Sequence, residues 1–207
     1  SACCKDYLSL CDAILVPGGF GKRGVEGKIN AIKFAKSNNK PFLGICFGMQ
    51  LAVIEAMRCI KGYEEASSSE FGKCKIPVIA LISEWQKKTK IHKVDRENLG
   101  GSMRLGSYNS ILKKNTKIFK IYKKINITER HRHRYEVNKN YISILEENGT
   151  IFSGMSPDKK LAEVLERSDH PWFVGVQYHP ELKSTPFNPH PIFNSFVKST
   201  FLLKRGL

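Results

Sequence analysis

The fold is decided by the stretch PFLGICFGMQLAVIEAMRCI, residues 41–60. Its first part, PFLGIC, is an almost wholly apolar run of the kind expected for a β-strand that is buried on both faces. The remainder reads directly on as a helix, with no loop between the two. A buried strand that passes into a helix through Gly44-x-Cys46-x-Gly48 has the pattern of a nucleophile elbow, with sulfur in place of oxygen. We therefore expect Cys46 to lie where the strand ends and the helix begins.

A second unit of the same kind precedes this one. Residues 13–16, AILV, predict a short strand, and the glycine-rich PGGFG that follows predicts a tight loop. Residues 25–37 then show helical spacing, with Ile29, Ile32 and Phe34 on or near one face and lysines outside it. Two successive β-α units imply a parallel sheet covered by helices. We predict an α/β fold, a three-layer sandwich with a mostly parallel central sheet and some antiparallel additions.

The remainder of the chain continues this alternation less regularly. Residues 86–98 form a long charged stretch, which predicts an exposed loop. A closing helix is predicted from about Pro191 to Leu203. Further β-like runs are PVIALI (residues 77–82), MRL near Arg104, ITERHRHRYEV, TIFSGM, LAEVLE and WFVGVQYH.

Length and composition indicate one domain, residues 1–207. A chain of 207 residues, 41% of them hydrophobic, can build one sizeable core but hardly two. No run approaches the roughly 18 apolar residues of a membrane span, and no signal peptide is predicted. Because the chain begins with Ser1 and its first confident strand starts at residue 13, we expect it to be a piece of a longer protein.

The charge balance raises the question of a nucleic-acid or acidic-membrane partner. There are 34 basic and 19 acidic residues, which gives a net charge of +15. The lysines are scattered in short runs, however, without a long basic arm or interleaved stacking aromatic residues. A solvated lysine-rich surface explains this pattern better, so we predict neither a nucleic-acid nor a membrane partner.

The six cysteines show neither paired CxxC spacing nor zinc-finger histidines, so no metal site or disulfide framework is indicated. Reduced thiols predict a cytoplasmic location. Cys46 is the candidate nucleophile, because the sharp turn strains its backbone and a helix N-terminus favours a thiolate. The alternative is a buried small hydrophobic residue, which is the interpretation preferred for Cys59 and Cys74.

His179 and Glu181 follow the strand-like run WFVGVQY and are the candidate base and its orienting partner. A cysteine nucleophile needs a general base, and usually a third group that fixes the imidazole tautomer. The period of two in a strand predicts that both side chains leave the strand end on the same face, with Pro180 pointing away. Alone, the pair could equally be a turn histidine beside a solvated carboxylate.

The loop PGGFG, residues 17–21, is the candidate oxyanion hole. Attack of a thiolate on an amide carbon creates an oxyanion that backbone N–H groups stabilise. We predict that the N–H groups of Gly19 and Phe47 do this. A phosphate-binding loop is the competing interpretation, but neither GxxxxGK[ST] nor GxGxxG is present.

Taken together, PGGFG, GICFGMQ and YHPE resemble the class I (triad) glutamine amidotransferases. More narrowly, SSSEF, GGSMRLG, ERHRHRYEVN and HPWFVGVQYHPE are similar to the amidotransferase domain of the CTP synthase family, and the similarity runs from about Asp12 to Phe201. The resemblance implies the flavodoxin-like fold of class I glutamine amidotransferases. It also implies hydrolysis of L-glutamine to glutamate and ammonia.

The resemblance assigns roles to particular residues. It implies that Cys46 forms a glutamyl thioester, that His179 transfers the proton and that Glu181 orients His179. It further implies a glutamine pocket in which Glu70 holds the α-amino group and Arg134 binds the carboxylate, which agrees with the preference of arginine for carboxylates. The pocket is expected to be lined by Gly19 and by the turn of Phe47, Gly48, Met49 and Gln50.

In this family an N-terminal synthetase domain uses ATP to aminate UTP to CTP with the ammonia released. That domain is absent from this sequence, and the family's amidotransferase domain begins well before Ser1. The resemblance implies ATP and Mg as cofactors of the whole enzyme, GTP as its activator and a homo-oligomeric assembly. No cofactor is implied for glutamine hydrolysis itself.

Three other interpretations remain open at this point. One is a class I amidotransferase that feeds GMP or carbamoyl phosphate synthesis, and another is a non-catalytic basic module that binds RNA or a polyanionic protein. The third is a metal site, because His131 and His133 share a face at period two. Three interleaved arginines make a dication costly there, so we predict no metal.

Overall fold

The computed structural model describes residues 2–82 and 103–206, with side chains from Asp6 onward. The helices are α1 (Ala2–Ser9), α2 (Val25–Ser37), α3 (Phe47–Arg58), α4 (Lys117–Tyr122), α5 (Ile142–Glu147) and α6 (Pro191–Lys204). The strands are β1 (Ile14–Val16), β2 (Phe42–Ile45), β3 (Ala66–Ser68), β4 (Ile76–Leu81), β5 (Arg104–Leu112), β6 (Asn126–His133), β7 (Tyr135–Val137), β8 (Thr150–Met155), β9 (Ala162–Arg167) and β10 (Phe173–Val176). The predicted loop at residues 86–98 lies outside the described residues.

Within the described residues, the central sheet has seven strands in the order β1-β2-β10-β9-β8-β5-β6. Only the pairs β1–β2 and β2–β10 are parallel, whereas the four remaining pairs are antiparallel. The α/β class is confirmed, but the expectation of a mostly parallel sheet is wrong. For the pairs β8–β9 and β9–β10 the reason is the length of the connections: a parallel crossover needs about a dozen residues or more, and these two loops are too short for one.

Two apolar clusters cover the two faces of this sheet, as a three-layer sandwich requires. Strand β2 contributes to both, because Phe42 faces α2 and α3 while Leu43 and Ile45 face α4 and α6. Helix α3 is apolar almost all round, and each residue from Phe47 to Met57 is buried. The helix that begins at the candidate nucleophile is therefore held inside the protein along its length.

A small second sheet, in the order β3-β4-β7, packs on α3. The chain reaches it from β6 through a single bend at Arg134, so the run ITERHRHRYEV is two strands in two sheets and not one strand as predicted. This bend brings the end of the seven-stranded sheet next to the N-terminal part of α3.

The predicted helices are confirmed with small differences. Val25, Ile29, Ile32 and Ala35 form the buried side of α2, whereas Phe34 is only half-buried. Helix α1 is not predicted by the sequence, because ACCKDYLS shows no strong apolar periodicity. Within residues 2–82 and 103–206, no helix combines the length and apolar character that crossing a membrane requires.

Candidate active site

Cys46 lies at the junction of β2 and α3, as the Gly-x-Cys-x-Gly pattern predicted. Its backbone has φ 50° and ψ −102°, a conformation that a residue with a side chain rarely adopts. Its N–H donates to the carbonyl of Val176 on β10 at 2.7 Å, which holds the strained residue in line with the sheet. The residue is only 4% exposed. The elbow therefore presents one sulfur from a rigid and almost enclosed position.

The two flanking glycines allow the backbones of this junction to touch. A Cβ atom on Gly48 would lie 2.1 Å from the carbonyl oxygen of Val16, the last residue of β1. A Cβ on Gly44 would lie 2.7 Å from the carbonyl carbon of Gly48. Both approaches are far inside van der Waals contact, so only glycine fits at either position, as predicted.

A third glycine, Gly175 on β10, belongs to the same contact and was not predicted. It pairs with Gly44 in the parallel register, and a Cβ at this position would lie 3.0 Å from Cγ of Met49. The first turn of α3 therefore rests on two adjacent glycines of neighbouring strands. The glycine in the middle of the strand WFVGV was the available sequence signal, since glycine inside a strand often marks a close approach of another element.

His179 and Glu181 are in contact, although not for the reason that the sequence suggested. Nδ1 of His179 lies 2.6 Å from Oε1 of Glu181. Strand β10 ends at Val176, and Glu181 sits in a single 3₁₀ turn, Pro180–Leu182, for which His179 is the N-cap. The expectation that the pair leaves a strand end on one face is wrong; a tight turn brings the two side chains together.

The imidazole of His179 and the side chain of Cys46 converge on Gly18. A Cβ on Gly18 would lie 2.8 Å from Cε1 of His179 and 3.8 Å from Cβ of Cys46. Since Nδ1 is bound to Glu181, Nε2 is the nitrogen left for Cys46; it is buried and makes no hydrogen bond of ordinary geometry with any described residue. A loose contact of this kind is common in enzymes without substrate. Gly18 was also missed from sequence, where only Gly19 was singled out of PGGFG.

The electrostatics of the three groups match this arrangement. Interaction with the Cys46 side chain, followed by the hydrogen bond to Glu181, raises the pKa of His179 to about 10. Partial burial acts to raise the pKa of Glu181, but the hydrogen bond to His179 and the nearby positive charge together hold it below its usual value. Glu181 is therefore a carboxylate that stabilises a protonated imidazole, which is the task of the third member of a triad.

The loop after β1 lies against the start of α3. The Cβ position of Gly19 is 3.4 Å from Cδ1 of Phe47, so the two residues predicted to form the oxyanion hole are neighbours. Phe47 is the first residue of α3, where backbone N–H groups lack partners within the helix. Gly21 of the same loop donates its N–H to Oε1 of Glu70 at 2.7 Å. The structure thus brings together the loop, the nucleophile turn and Glu70.

The chain matches a known protein family along almost its whole length. The family model for glutamine amidotransferase class-I matches residues 4–199. The chain belongs to the class I glutamine amidotransferases. CTP synthases from Agrobacterium fabrum and from Rhizobium meliloti are each 58% identical to it over 194 residues, which cover 93% of this chain and 36% of each relative. The chain therefore spans about a third of the length of these relatives.

Among solved structures, the glutaminase domain of Trypanosoma brucei CTPS with bound acivicin superimposes with a TM-score of 0.84. It is 37% identical, and the match covers 95% of this chain and 73% of that one. Within the class I amidotransferases, the chain corresponds to the glutaminase domain of CTP synthase. This finding favours the CTP synthase family over the GMP and carbamoyl phosphate alternatives.

The residues expected to line the glutamine pocket of this amidotransferase fall into two groups. Glu70 contacts the loop after β1, and Arg134 is exposed at the bend between β6 and β7. The side chains of Met49 and Gln50 instead belong to the interior: Met49 is fully buried, and Gln50 donates to the carbonyl of Tyr135 at 2.9 Å. Gly48 has no side chain, so a role for these three in the pocket is confined to their backbone groups.

His131 and His133 lie in a buried ionic cluster of the amidotransferase fold. Arg104 is centred between Glu136, at 3.2 Å, and Glu163, at 2.8 Å. Burial, together with the charge of Arg104, lowers the pKa of His131 to about 2, while burial raises the pKa of Glu163 to about 7. The arginine thus supplies the cation that the carboxylates of this cluster require. No group of three or more potential metal ligands occurs among the described residues.

The titration of His179 gives a first testable prediction. Because its pKa in the folded amidotransferase is raised from about 6.5 to about 10, the stability that it contributes is complete below pH 6.5 and is lost as the pH rises through 10. In Glu181→Gln we expect this pKa to move down toward 6.5, since the second of the two raising contacts is removed. NMR titration of the imidazole signals measures this shift.

His170 provides an internal control in the same spectra. Its pKa is lowered by burial, and its ring contacts Ala35 and Trp172 and not the catalytic turn, so it should titrate alike in both proteins. An unchanged pKa for His179 in Glu181→Gln would show that the carboxylate does not act on the imidazole.

Proposed function

We propose that this chain hydrolyses L-glutamine to glutamate and ammonia through a γ-glutamyl thioester on Cys46. The observation that carries the proposal is the convergence of Cys46 and His179 on Gly18, with Glu181 bound to the far nitrogen of the imidazole. A nucleophile at an elbow, a base within reach and an orienting carboxylate form the arrangement that acyl transfer requires.

The reaction follows in two halves. The thiolate of Cys46 attacks the carboxamide carbon, and the oxyanion formed accepts hydrogen bonds from the N–H groups of Gly19 and Phe47. The intermediate collapses as the C–N bond breaks, and His179 gives its proton to the departing nitrogen, which leaves as ammonia. A water molecule then loses a proton to His179 and attacks the thioester carbon, and the C–S bond breaks to give glutamate and the free thiolate.

Recognition of glutamine needs one anion and one cation at a fixed separation, because the substrate is a zwitterion. We assign the α-amino group to Glu70 and the α-carboxylate to Arg134, whose planar guanidinium suits a carboxylate. The N–H of Gly21 on Oε1 of Glu70 supports this assignment, because it fixes the carboxylate beside the loop that carries Gly19.

The activity of the whole protein is a wider proposal. By the family relationship, the ammonia would pass to a synthetase domain that aminates UTP to CTP with ATP and Mg, with GTP as activator, in a cytoplasmic homo-oligomer. By the same relationship, ATP and Mg would be held by that other domain. No step of glutamine hydrolysis depends on them.

Capture of the thioester tests the proposed reaction. In the presence of hydroxylamine we expect γ-glutamyl hydroxamate to form at the expense of glutamate, while ammonia release continues, because hydroxylamine competes with water for the thioester carbon. Acivicin, which the T. brucei domain binds, should block both products in this protein as well. Glutamate release without any hydroxamate would rule out a thioester, and no release of glutamate by the folded protein would rule out the glutaminase activity.

A further inference from the structure

A buried polar cluster lies directly behind the catalytic turn and is centred on Glu129 of β6. The side chain of Glu129 is 2% exposed, and Oε1 receives three contacts: the hydroxyl of Tyr122 at 3.1 Å, Nε2 of His190 at 3.1 Å and Nζ of Lys183 at 3.4 Å. The hydroxyl of Tyr178 joins through that of Tyr122, at 3.0 Å. These five residues form the Glu129 cluster. None of them takes part in the proposed hydrolysis.

The protons of the cluster can be placed from its contacts. Nδ1 of His190 accepts the N–H of Ile192 at 3.3 Å, so Nε2 carries the proton and donates to Glu129. Tyr178 is fully buried and Tyr122 has only one hydroxyl proton, so the order that satisfies every group is Tyr178 to Tyr122 to Glu129. The donors of Tyr122, His190 and Lys183 therefore point to one carboxylate oxygen, and that of Tyr178 points to Tyr122.

This cluster is joined to both sides of the turn that carries His179 and Glu181. Tyr178 immediately precedes His179, and Lys183 follows Glu181 by two residues. Between them, the N–H of His179 donates to the carbonyl of Arg130, the residue after Glu129, at 2.8 Å. The turn therefore contacts β6 at three points: at Tyr178 through Tyr122, at the N–H of His179, and at Lys183. The first and the last of these contacts both lead to Glu129.

Among the described residues, the outer part of this turn has little apolar packing. In the 3₁₀ turn Pro180–Leu182 only the proline is buried, while the side chain of Glu181 is 45% exposed and Leu182 is 53% exposed. Apolar packing at Glu181 and Leu182 therefore contributes little to holding the imidazole, whose own side chain is 13% exposed, to the fraction of an ångström that proton transfer needs. Hydrogen bonds to a buried charge are strong and directional enough to do so.

We infer that Glu129 is a positioning residue, which fixes the turn bearing His179 and Glu181 so that the imidazole meets Cys46. This inference rests on the proposed glutaminase function for its kinetic consequence, but not for its structural one. The pKa of His179 depends on interactions with the side chains of Cys46 and Glu181, and His131 on β6 also interacts electrostatically with it. Glu129 acts on it through the backbone turn.

The test is Glu129→Gln, which keeps the size of the side chain and removes its charge. Because the imidazole would be held less accurately, we expect kcat for glutamine hydrolysis to fall about 10- to 100-fold. KM should change less than about threefold, since Glu70 belongs to another element and Arg134 lies in the bend after β6, outside the Glu129 cluster. NMR titration should show the pKa of His179 falling from about 10, because its contacts with Cys46 and Glu181 loosen.

Glu55→Gln is the matched control, since Glu55 is also a buried carboxylate with a lysine partner, at 3.6 Å, but lies near the far end of α3. It should lose comparable stability while kcat and the pKa of His179 stay unchanged. If Glu129→Gln does not fold, Tyr178→Phe and Lys183→Met can replace it. Each variant removes one contact between the turn and the Glu129 cluster, and each should lower kcat about threefold or more while KM is preserved.

The outcomes separate the two proposals. The positioning role would be overturned if Glu129→Gln had the same kcat and the same pKa of His179 as Glu55→Gln. It would also be overturned if Tyr178→Phe and Lys183→Met both matched the wild type in these two quantities. A wild-type protein that releases no glutamate would overturn the proposed function alone. The NMR titration needs no turnover, so a lowered pKa of His179 in Glu129→Gln would still support the positioning role in that case.

Discussion

Replacement of Cys46 by alanine is expected to lower glutamine hydrolysis by at least about 10⁴-fold, because it removes the sulfur that forms the thioester. The fold should survive the change. Alanine retains a Cβ at the strained position, with φ 50°, and the N–H of residue 46 still donates to Val176. Release of glutamate, measured with glutamine at saturation, checks the prediction, and thermal unfolding checks that the protein is intact.

Cys59→Ala is the matched control for this experiment. Cys59 ends α3 at the opposite side from the elbow, and it is exposed, so the expectation that it is a buried hydrophobic residue is wrong. Partial burial and Glu55 raise the pKa of its thiol, which disfavours a reactive thiolate. Its replacement should leave the rate within about twofold of wild type, since it has no contact with the reacting groups. Residual activity of Cys46→Ala within tenfold of wild type would exclude this residue as the nucleophile.

Gly48→Ala is expected to destabilise the protein strongly, although it adds only one methyl group. The added Cβ would lie 2.1 Å from the carbonyl oxygen of Val16, and this neighbour is backbone in the middle of the sandwich, which cannot rotate aside. We expect the free energy of unfolding to fall by at least about 3 kcal/mol, and glutaminase activity to be lost because the first turn of α3 must shift. Denaturant unfolding measures the first effect.

Gly27→Ala adds the same methyl group but is expected to change the free energy of unfolding in the opposite direction. Gly27 is also a helical glycine, on α2, and a Cβ there would meet nothing within 4 Å. The substitution should raise the free energy of unfolding by about 0.5 to 1 kcal/mol, because alanine restricts the unfolded chain. If Gly48→Ala unfolds at the same denaturant concentration as Gly27→Ala, the close approach of α3 to β1 is contradicted.

The part of the site that could be predicted from sequence is the nucleophile elbow, whose geometry depends on residues close together in the chain. A buried strand, a glycine on each side of a cysteine and an immediate helix specify the elbow within eight residues, because the clash of a Cβ with a neighbouring backbone follows from the turn itself. The contact of His179 with Glu181 was also predicted, but from strand periodicity, and the actual cause is a 3₁₀ turn after β10. Residues two apart can meet in either conformation.

What could not be predicted depends on pairings between distant segments. Two of the antiparallel pairs of the central sheet, β8–β9 and β9–β10, arise because short loops after β8 and β9 forbid crossovers, and strand order is not visible in a periodic pattern. The Glu129 cluster draws on β6, α4, the catalytic turn and the start of α6. The buried face of β6 carries glutamate and histidine where an apolar residue is expected, and only their partners explain this.

Residue types at short fixed spacings predicted an α/β domain with a cysteine at an elbow, and the motifs indicated the amidotransferase family. The mixed sheet, the contribution of Gly18 and Gly175 to the site and the contacts of the catalytic turn with a buried carboxylate became visible only in the folded protein. Steric exclusion within a turn acts over a few residues of chain, whereas hydrogen bonds and packing in the interior join residues far apart in the sequence, such as Tyr122, Tyr178 and His190.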